Sequence, residues 1–158
     1  MAASSSSNMG EVQRLVIDKK ETLTGHDVIY SFAVHRLVTK ETWSFALDYN
    51  TGCIIVPTSW SFGIFYEKVP ETSELSCSIT LKRTDNRENS VMVFALVSFS
   101  DVNGRVARFS EAVCSGTMFA GDEKQGSISN RDKSELFNQE LIVRISISIQ
   151  ECHVIKEL

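Results

Sequence analysis

The sequence predicts an all-β protein with the architecture of an eight-stranded antiparallel β-sandwich, and three observations support this fold class. Residues 140–150, ELIVRISISIQ, alternate apolar and polar side chains, with Leu141, Val143 and Ile145 on one side. A period of two with β-branched residues on one face is typical of a strand between a core and water. The same alternation recurs in short segments separated by turn residues, and helical patterns long enough for βαβ crossovers are missing.

The first residues carry too little apolar area to favour an ordered structure. Residues 1–10 are rich in serine, a composition that cannot offset the entropy lost on ordering. The next segment, to residue 24, fits two interpretations, because its apolar residues share one helical face while its LVI run equally fits an edge strand. We therefore predict a disordered or weakly ordered tail over residues 1–24, a sandwich over residues 25–152 and a C-terminal tail over residues 153–158.

Eight strands account for the remaining alternation and apolar runs. They are predicted, in chain order, at residues 29–37, 43–47, 53–56, 60–66, 74–82, 91–99, 105–109 and 140–150. The first, second and fourth contain alternating aromatic residues, and the third is a short apolar run after an Asn-Thr-Gly turn. The fifth is the clearest, because Leu75, Cys77 and Ile79 alternate with polar residues.

The sixth and seventh strands are predicted to form a hairpin. Residues 91–99 are apolar on both faces, which is typical of a central strand covered on both sides. The dipeptide Asn103-Gly104 then favours a tight turn, because both residues tolerate positive φ. Three glycines and several charges predict a long loop over residues 116–130, followed by a short helix over residues 131–137.

Composition and charge argue against several classes of function. The 158-residue chain suits one domain, and its net charge of −4 weighs against nucleic-acid binding, which needs a surplus of Lys and Arg. No apolar run approaches the roughly 20 residues of a membrane span, and the N-terminus lacks the apolar centre of a secretory signal. We therefore expect an intracellular protein, in the cytoplasm or nucleus, with no nucleic-acid or membrane partner.

The sequence contains no recognisable metal or cofactor motif. His26, His35 and His153 lie near predicted strand ends or on an outward face, without local spacings such as C-x-x-C or H-x-x-x-H. Cys152 and His153 are adjacent, and neighbours on a strand point to opposite faces. We therefore predict no metal and no other cofactor. The four cysteines are widely spaced and are interpreted as reduced thiols, although a secreted sandwich with two disulfides stays an alternative.

Catalytic residues are not predicted either. Cys114 is the one candidate nucleophile, next to the glycine-bearing loop, and an inert thiol at a strand end is the favoured interpretation. The candidate acidic residues fall in predicted loops, where solvated charges are expected, and no phosphate-binding glycine motif occurs. Most aromatic residues are assigned to the core. Met118 and Phe119, on the predicted loop, either pack under the sheet edge or contact a partner.

The order of these elements resembles that of the meprin and TRAF homology (MATH) domain. The similarity is carried by YSFAVHRL at residues 30–37, with Phe32 where Trp is usual, and by WSFGIFY at residues 60–66. It continues through the segments at residues 73–81, 91–105 and 136–144, so that it covers about residues 28–150. The resemblance implies a TRAF-C-like eight-stranded sandwich that recognises short peptide segments. In the speckle-type POZ branch, such domains select substrates for a cullin-based ubiquitin ligase through a following BTB/POZ domain.

The resemblance also implies where a peptide would bind. That branch lines its groove with aromatic residues on outward faces of central strands, and smaller residues occupy the matching positions of this chain. The predicted peptide-binding residues are Ser78, Ala95, Ser115, Gly116, Thr117, Met118 and Phe119. The sequence stops at Leu158, where a BTB/POZ domain would normally start, which indicates a fragment or a lone recognition module.

We therefore expect a non-enzymatic module that binds extended peptides and serves as part of a cullin-RING ligase adaptor. Two alternatives remain. One is a structural or assembly protein that uses exposed edge strands and has no peptide groove. The other is a hydrolase centred on Cys114.

Overall fold

The computed structural model describes residues 13–35, 42–68, 75–101, 103, 106–130 and 140–153. In these residues the chain forms nine strands and no helix. The strands are β1 (Gln13–Glu21), β2 (Gly25–His35), β3 (Thr42–Asn50), β4 (Ser59–Lys68), β5 (Leu75–Arg83), β6 (Val91–Asp101), β7 (Val106–Met118), β8 (Glu123–Asn130) and β9 (Glu140–Gln150). The described part of the chain thus has no helix with the length and hydrophobicity of a bilayer span.

The strands form two antiparallel sheets. Five strands pair in the order β1-β2-β9-β6-β7, and four pair in the order β3-β4-β5-β8. In the larger sheet β9 lies between β2 and β6, so that Ile145 is opposite both Tyr30 and Val97. The all-β prediction is confirmed, although the count is nine strands and not eight.

One hydrophobic core lies between the two sheets. Phe32 of β2 stacks on Phe45 of β3 with ring centroids 4.6 Å apart, and its ring lies 5.9 Å from that of Trp43. Because β2 and β3 belong to different sheets, these contacts show that the sheets pack face to face. The alternating residues of β9, including Leu141 and Ile147, are fully buried in this core, as the sequence predicts.

Two predicted elements are wrong. Residues 53–56 lie in the β3–β4 loop, with bends at residues 54–56, and do not form a strand. The predicted loop at residues 116–130 contains the end of β7 and all of β8, joined by a short turn in which Gly121 has a φ of 86°. The segment at β8 was missed because Glu123, Gln125 and Ser127 are exposed and its sequence has little apolar alternation. The predicted helix at residues 131–137 lies outside the described residues.

The N-terminal boundary also changes. β1 pairs with β2 along most of its length, so the edge-strand interpretation is correct and a tail extending to residue 24 is wrong. Asp18, Lys19 and Lys20 all lie on this edge strand and are exposed. Such charges are typical of edge strands, because they oppose pairing with other chains. Apart from His153, the predicted C-terminal tail lies outside the described residues.

A buried arginine joins the ends of several elements. Arg83, at the end of β5, is fully buried, and its Nε and Nη2 donate to the Asp85 carboxylate at 3.0 to 3.2 Å. Its Nη1 donates to the carbonyl oxygens of Asn89, at 2.6 Å, and Met118, at 2.9 Å. The Oδ2 atom of the Asp85 carboxylate also accepts from the backbone N–H of Ser59 at 2.9 Å. The guanidinium therefore fixes the approach to β6, the end of β7 and the start of β4 together.

Candidate functional site

The residues predicted to bind peptide do not form one surface. Ser78 is exposed on β5, in the four-stranded sheet, where its cross-strand neighbour is Phe65. Ala95 is on β6, in the five-stranded sheet, and is fully buried in the core. The prediction that Ala95 faces outward is wrong by one residue, since alternation on β6 directs Phe94 and Leu96 to the solvent.

The remaining predicted residues lie at the end of β7 and in the turn after it. Ser115 and Thr117 are exposed, whereas Met118 is fully buried in the core. Gly116 lies between the two exposed residues with a φ of 130°, and a Cβ there would lie 3.2 Å from the Lys124 ammonium. Phe119 is 54% exposed in the β7–β8 turn. Part of the predicted set is therefore accessible, but on a different sheet from Ser78.

The outer face of the five-stranded sheet carries an apolar patch that the sequence did not reveal. Phe94 is 45% exposed and Leu96 is 36% exposed, although β6 is an inner strand of the sheet. Phe94 lies between two hydroxyl residues, opposite Ser115 on β7 and Ser148 on β9, whereas Leu96 lies opposite Ser146 on β9 and Ala112 on β7. We call this set, namely Phe94, Leu96, Ser115, Thr117, Ser146 and Ser148, the Phe94 surface.

One cationic side chain lies beside the Phe94 surface. Arg144 of β9 is exposed, and it lies opposite Ser98 of β6 and Ser31 of β2. Ser98 follows Leu96 by two residues on the same face, about 7 Å along the strand, and β9 is about 5 Å away across the sheet. The Arg144 backbone, from which the guanidinium side chain extends, is therefore roughly 8 Å from the Leu96 backbone.

The outer face of the four-stranded sheet also has an exposed aromatic residue, Phe65. Phe65 is 44% exposed on β4, nearly the same fraction as Phe94. Its neighbours in the register are Ser44 on β3 and Ser78 on β5, and the next outward residue along β4 is Gly63. Phe65 therefore stands alone among small residues, whereas Phe94 has Leu96 beside it.

A second grouping of reactive side chains lies at one end of the sandwich. His26 is on β2, Cys53 is in the β3–β4 loop, and Cys152 and His153 form a turn after β9. One ligand atom from each of the four residues lies within 4.8 Å of every other. Cys152 and His153 do not point apart as predicted, because they follow the end of β9 and a residue with positive φ, Glu151, precedes them.

Close backbone packing brings these four residues together. A Cβ on Gly25 would lie 1.8 Å from the Ile149 carbonyl oxygen, so only glycine allows β2 to approach β9 this closely. The backbone N–H of Glu151 donates to the Thr24 carbonyl oxygen at 2.9 Å. In the β3–β4 loop, the N–H of Cys53 donates to the Thr51 hydroxyl at 3.3 Å, which holds the thiol towards β2.

The imidazole rings of this cluster face each other. The Nε2 atoms of His26 and His153 are 3.1 Å apart, and the Nδ1 atom of His153 is 3.2 Å from the Leu23 carbonyl oxygen. The Glu21 carboxylate lies at the rim, 3.4 Å from Nε2 of His153 and 3.9 Å from Nε2 of His26. No spacing in the sequence indicates this arrangement, because 99 residues separate Cys53 from Cys152.

Burial favours the neutral forms of two residues of the cluster, His26 and Cys152. It lowers the pKa of His26, and the neighbouring His153 lowers it further, while Glu21 and Asp27 act in the opposite direction. Burial raises the pKa of the Cys152 thiol to about 12, and the nearby Cys53 adds to the effect. A thiol and an imidazole in this setting are neutral unless a cation is present to stabilise the thiolate.

Cys114 lacks the surroundings of a nucleophile. The side chain is buried, and burial raises its pKa, an effect that Lys124 only partly opposes. Its Sγ atom lies 3.8 Å from the carbonyl oxygen of Lys124. A thiol held protonated in a core contact is a poor attacking group.

No protein-family model and no curated protein matches this sequence. Among solved structures, the chain is similar to the enzymatically active domain of tailspike protein 4 from bacteriophage CBA120. The two share 10% sequence identity with a TM-score of 0.25, and the similarity covers 67% of this chain and 18% of the phage chain. At that level the likeness supports no conclusion about fold or activity.

Proposed function

We propose that this chain is a non-enzymatic protein-interaction module that binds an extended peptide on the Phe94 surface. The observation that carries the proposal is the exposure of Phe94 and Leu96 side by side on an inner strand, with serine residues on both sides of Phe94. An apolar centre with a polar rim is the usual anatomy of a protein-interaction site.

The pairing of β6 restricts how a peptide can bind. Its backbone is hydrogen-bonded to β7 on one side and β9 on the other, so Phe94 and Leu96 contribute only side-chain contacts. β7 is the last strand of this sheet in the described structure, and Ser115 and Thr117 are exposed on it. A peptide that crosses the outer face of the sheet would pass over these small side chains, cover Phe94 and continue towards β9.

The positive charge of Arg144 favours a ligand that carries a carboxylate. Arg144 lies roughly 8 Å from Leu96 by strand geometry, which is within the span of an extended peptide of three or four residues. We therefore propose a ligand with a large apolar residue that covers Phe94 and a carboxylate two to four residues away that pairs with Arg144. With two anchoring side chains, the affinity should be in the micromolar range, about 10⁻⁶ M.

A random peptide library displayed on phage tests the proposal with a defined probe. We expect selection on the immobilised wild-type protein to enrich sequences with an apolar residue near an acidic one. The Phe94→Ala variant should lose these clones and the Phe65→Ala variant should retain them. Enrichment that survives Phe94→Ala, or no enrichment above the level of the bare support, would contradict the proposal.

The MATH resemblance supplies further proposals that rest on sequence alone. They are a TRAF-C-like arrangement of eight of the nine strands, a location in the cytoplasm or nucleus, and an adaptor role for a cullin-based ubiquitin ligase. The adaptor role requires a BTB/POZ domain in the same protein. A BTB/POZ reading frame continuous with residue 158 in the transcript would support that role, and a transcript without one would remove it.

A structural or assembly role is the second candidate, and one observation favours it. β1 is an edge strand on which Val16 is 59% exposed and Ile17 is 49% exposed. Exposed apolar residues on a free edge favour pairing with another chain, although the following charges oppose it. Sedimentation velocity at several concentrations separates the candidates, because assembly predicts a concentration-dependent oligomer that a Val16→Lys variant dissociates.

A further inference from the structure

We propose that His26, Cys53, Cys152 and His153 form a Cys₂His₂ site for a zinc ion. The four residues come from three separate parts of the chain, and yet one ligand atom of each lies within 4.8 Å of all the others. Thiolate sulfur together with imidazole nitrogen is the donor set that zinc prefers among the biological cations. The site is independent of the Phe94 surface and of the peptide proposal.

The spacing of the donor atoms is close to that of a tetrahedral zinc site. Zinc bonds of about 2.3 Å to sulfur and about 2.05 Å to nitrogen imply sulfur atoms about 3.8 Å apart and nitrogen atoms about 3.3 Å apart. The Nε2 atoms of His26 and His153 are separated by 3.1 Å. The largest separation in the group, at most 4.8 Å, has to contract by about 1 Å. A small rotation of a cysteine side chain supplies such a movement.

The orientation of His153 is an independent indication. Its Nδ1 atom lies 3.2 Å from the Leu23 carbonyl oxygen. A carbonyl oxygen can only accept, so Nδ1 carries the proton, and the lone pair of the neutral ring is on Nε2, which points into the cluster. Histidine ligands of zinc typically donate their second N–H to a backbone carbonyl in this way.

Glu21 provides the competing explanation. A doubly protonated His153 would donate from Nε2 to the Glu21 carboxylate, which lies 3.4 Å away, without any metal. The Glu21 side chain is 68% exposed, however, and exposed ion pairs contribute little. This explanation also gives no role to the two buried thiols, Cys53 and Cys152.

The donor set predicts the role of the ion. Four protein ligands fill a tetrahedral zinc sphere, which is typical of structural sites and leaves no position for substrate. His26 belongs to the five-stranded sheet and Cys53 follows β3 of the four-stranded sheet, so the ion would join the two sheets at this end. An open depression of about 790 Å³, lined in part by Glu21, Ile54 and His153, leads from solvent to the site.

Binding of one zinc ion releases two protons from the cluster. The thiols of Cys53 and Cys152 each lose a proton to solvent and bind as thiolates. Within the His pair, Nε2 of His26 donates to Nε2 of His153 when no metal is bound. Binding therefore moves that proton to Nδ1 of His26 by exchange with water, with no net release from the rings.

Metal analysis of purified protein tests the proposal. After incubation with zinc under reducing conditions and removal of free metal, we expect about one zinc ion per chain. Cys53→Ser and Cys152→Ser should lose it, whereas the matched variants Cys77→Ser and Cys114→Ser, which alter buried thiols elsewhere, should retain it. The Glu21→Gln variant should also retain it. Zinc content near zero in wild-type protein, or equal in all the cysteine variants, overturns the proposal.

Two measurements on the wild-type chain avoid variants that fail to fold. Cobalt added in place of zinc should give the visible absorption and thiolate charge-transfer bands of a tetrahedral thiolate site. Zinc should also protect Cys53 and Cys152 from alkylation, with Cys77 and Cys114 as internal references. If removal of zinc by a chelator makes Cys53 and Cys152, or all four thiols, reactive towards alkylation, the result supports the site. A reducible Cys53–Cys152 disulfide whose formation zinc does not prevent overturns it.

Discussion

Replacement of Phe94 by alanine is the sharpest test of the proposed peptide surface. A Phe side chain contributes roughly 200 Å² of contact area when fully covered. The 45% exposure of Phe94 therefore leaves roughly 90 Å² for a ligand to bury. At about 25 cal/mol per Å², covering this area contributes about 2 kcal/mol to binding. Phe94→Ala should therefore weaken peptide affinity about 30-fold.

The assay compares Phe94→Ala with a matched control on the other sheet. Fluorescence anisotropy with one labelled peptide from the library selection gives the dissociation constant of each variant. Phe65, which is 44% exposed, has nearly the same exposure on a different face, so Phe65→Ala should change the affinity less than about 2-fold. Thermal unfolding of both variants checks that they remain folded. An equal loss of affinity in both variants, or an unchanged affinity in Phe94→Ala, would refute the assignment of the surface.

The other predictions concern single buried or exposed positions. Ala95→Arg should prevent folding, because a charge at this fully buried core position costs several kcal/mol. Ser78→Arg changes an exposed position and should leave the melting temperature nearly unchanged. Arg83→Met should destabilise the protein by about 3 to 5 kcal/mol in urea unfolding, because it leaves the Asp85 carboxylate without its partner. Burial raises the pKa of Asp85, but hydrogen bonds from Arg83 and from two backbone N–H groups outweigh it and hold the pKa below the ordinary 3.8. The resulting contribution to the free energy of unfolding is present above pH 3.8 and is lost as the pH falls through the lower pKa of the folded state. In the Asp85→Asn variant, the free energy of unfolding should therefore depend less on pH in the acid range.

The predictable parts of this molecule are those in which one side of a strand is apolar. β5 and β9 alternate over their whole length, and the structure confirms both strands and their inward faces. Asn103 also lies in a turn between paired strands, as the hairpin signal predicts. β8 was not predictable by the same rule, because its exposed residues are polar and it contributes little to the core.

The candidate sites depend on strand register and on packing between the sheets, which the order of residue types along the chain does not give. Residues 91–99 are apolar at nearly every position, so the sequence could not decide which of Phe94 and Ala95 faces water. Only the pairing with β9 and the packing against the other sheet determine that register. The cysteine and histidine cluster is harder still. His26 is near the start of β2, Cys152 follows β9 and Cys53 follows β3, so these ligands become neighbours only when β2 pairs with β9 and the two sheets pack. Local spacing therefore carries no signal of the cluster.

The two proposed sites share β9 and are nevertheless separable. Ser148, which borders Phe94, precedes Cys152 by four residues, and the intervening chain includes the end of the strand. A zinc ion at the cluster would act on the free energy of unfolding, because only the folded chain brings the four ligands together. Its loss in Cys53→Ser should lower the melting temperature and leave peptide affinity within about 2-fold when measured well below that temperature. A large loss of affinity in folded Cys53→Ser would show that the end of β9 positions the Phe94 surface, and that the two sites are coupled.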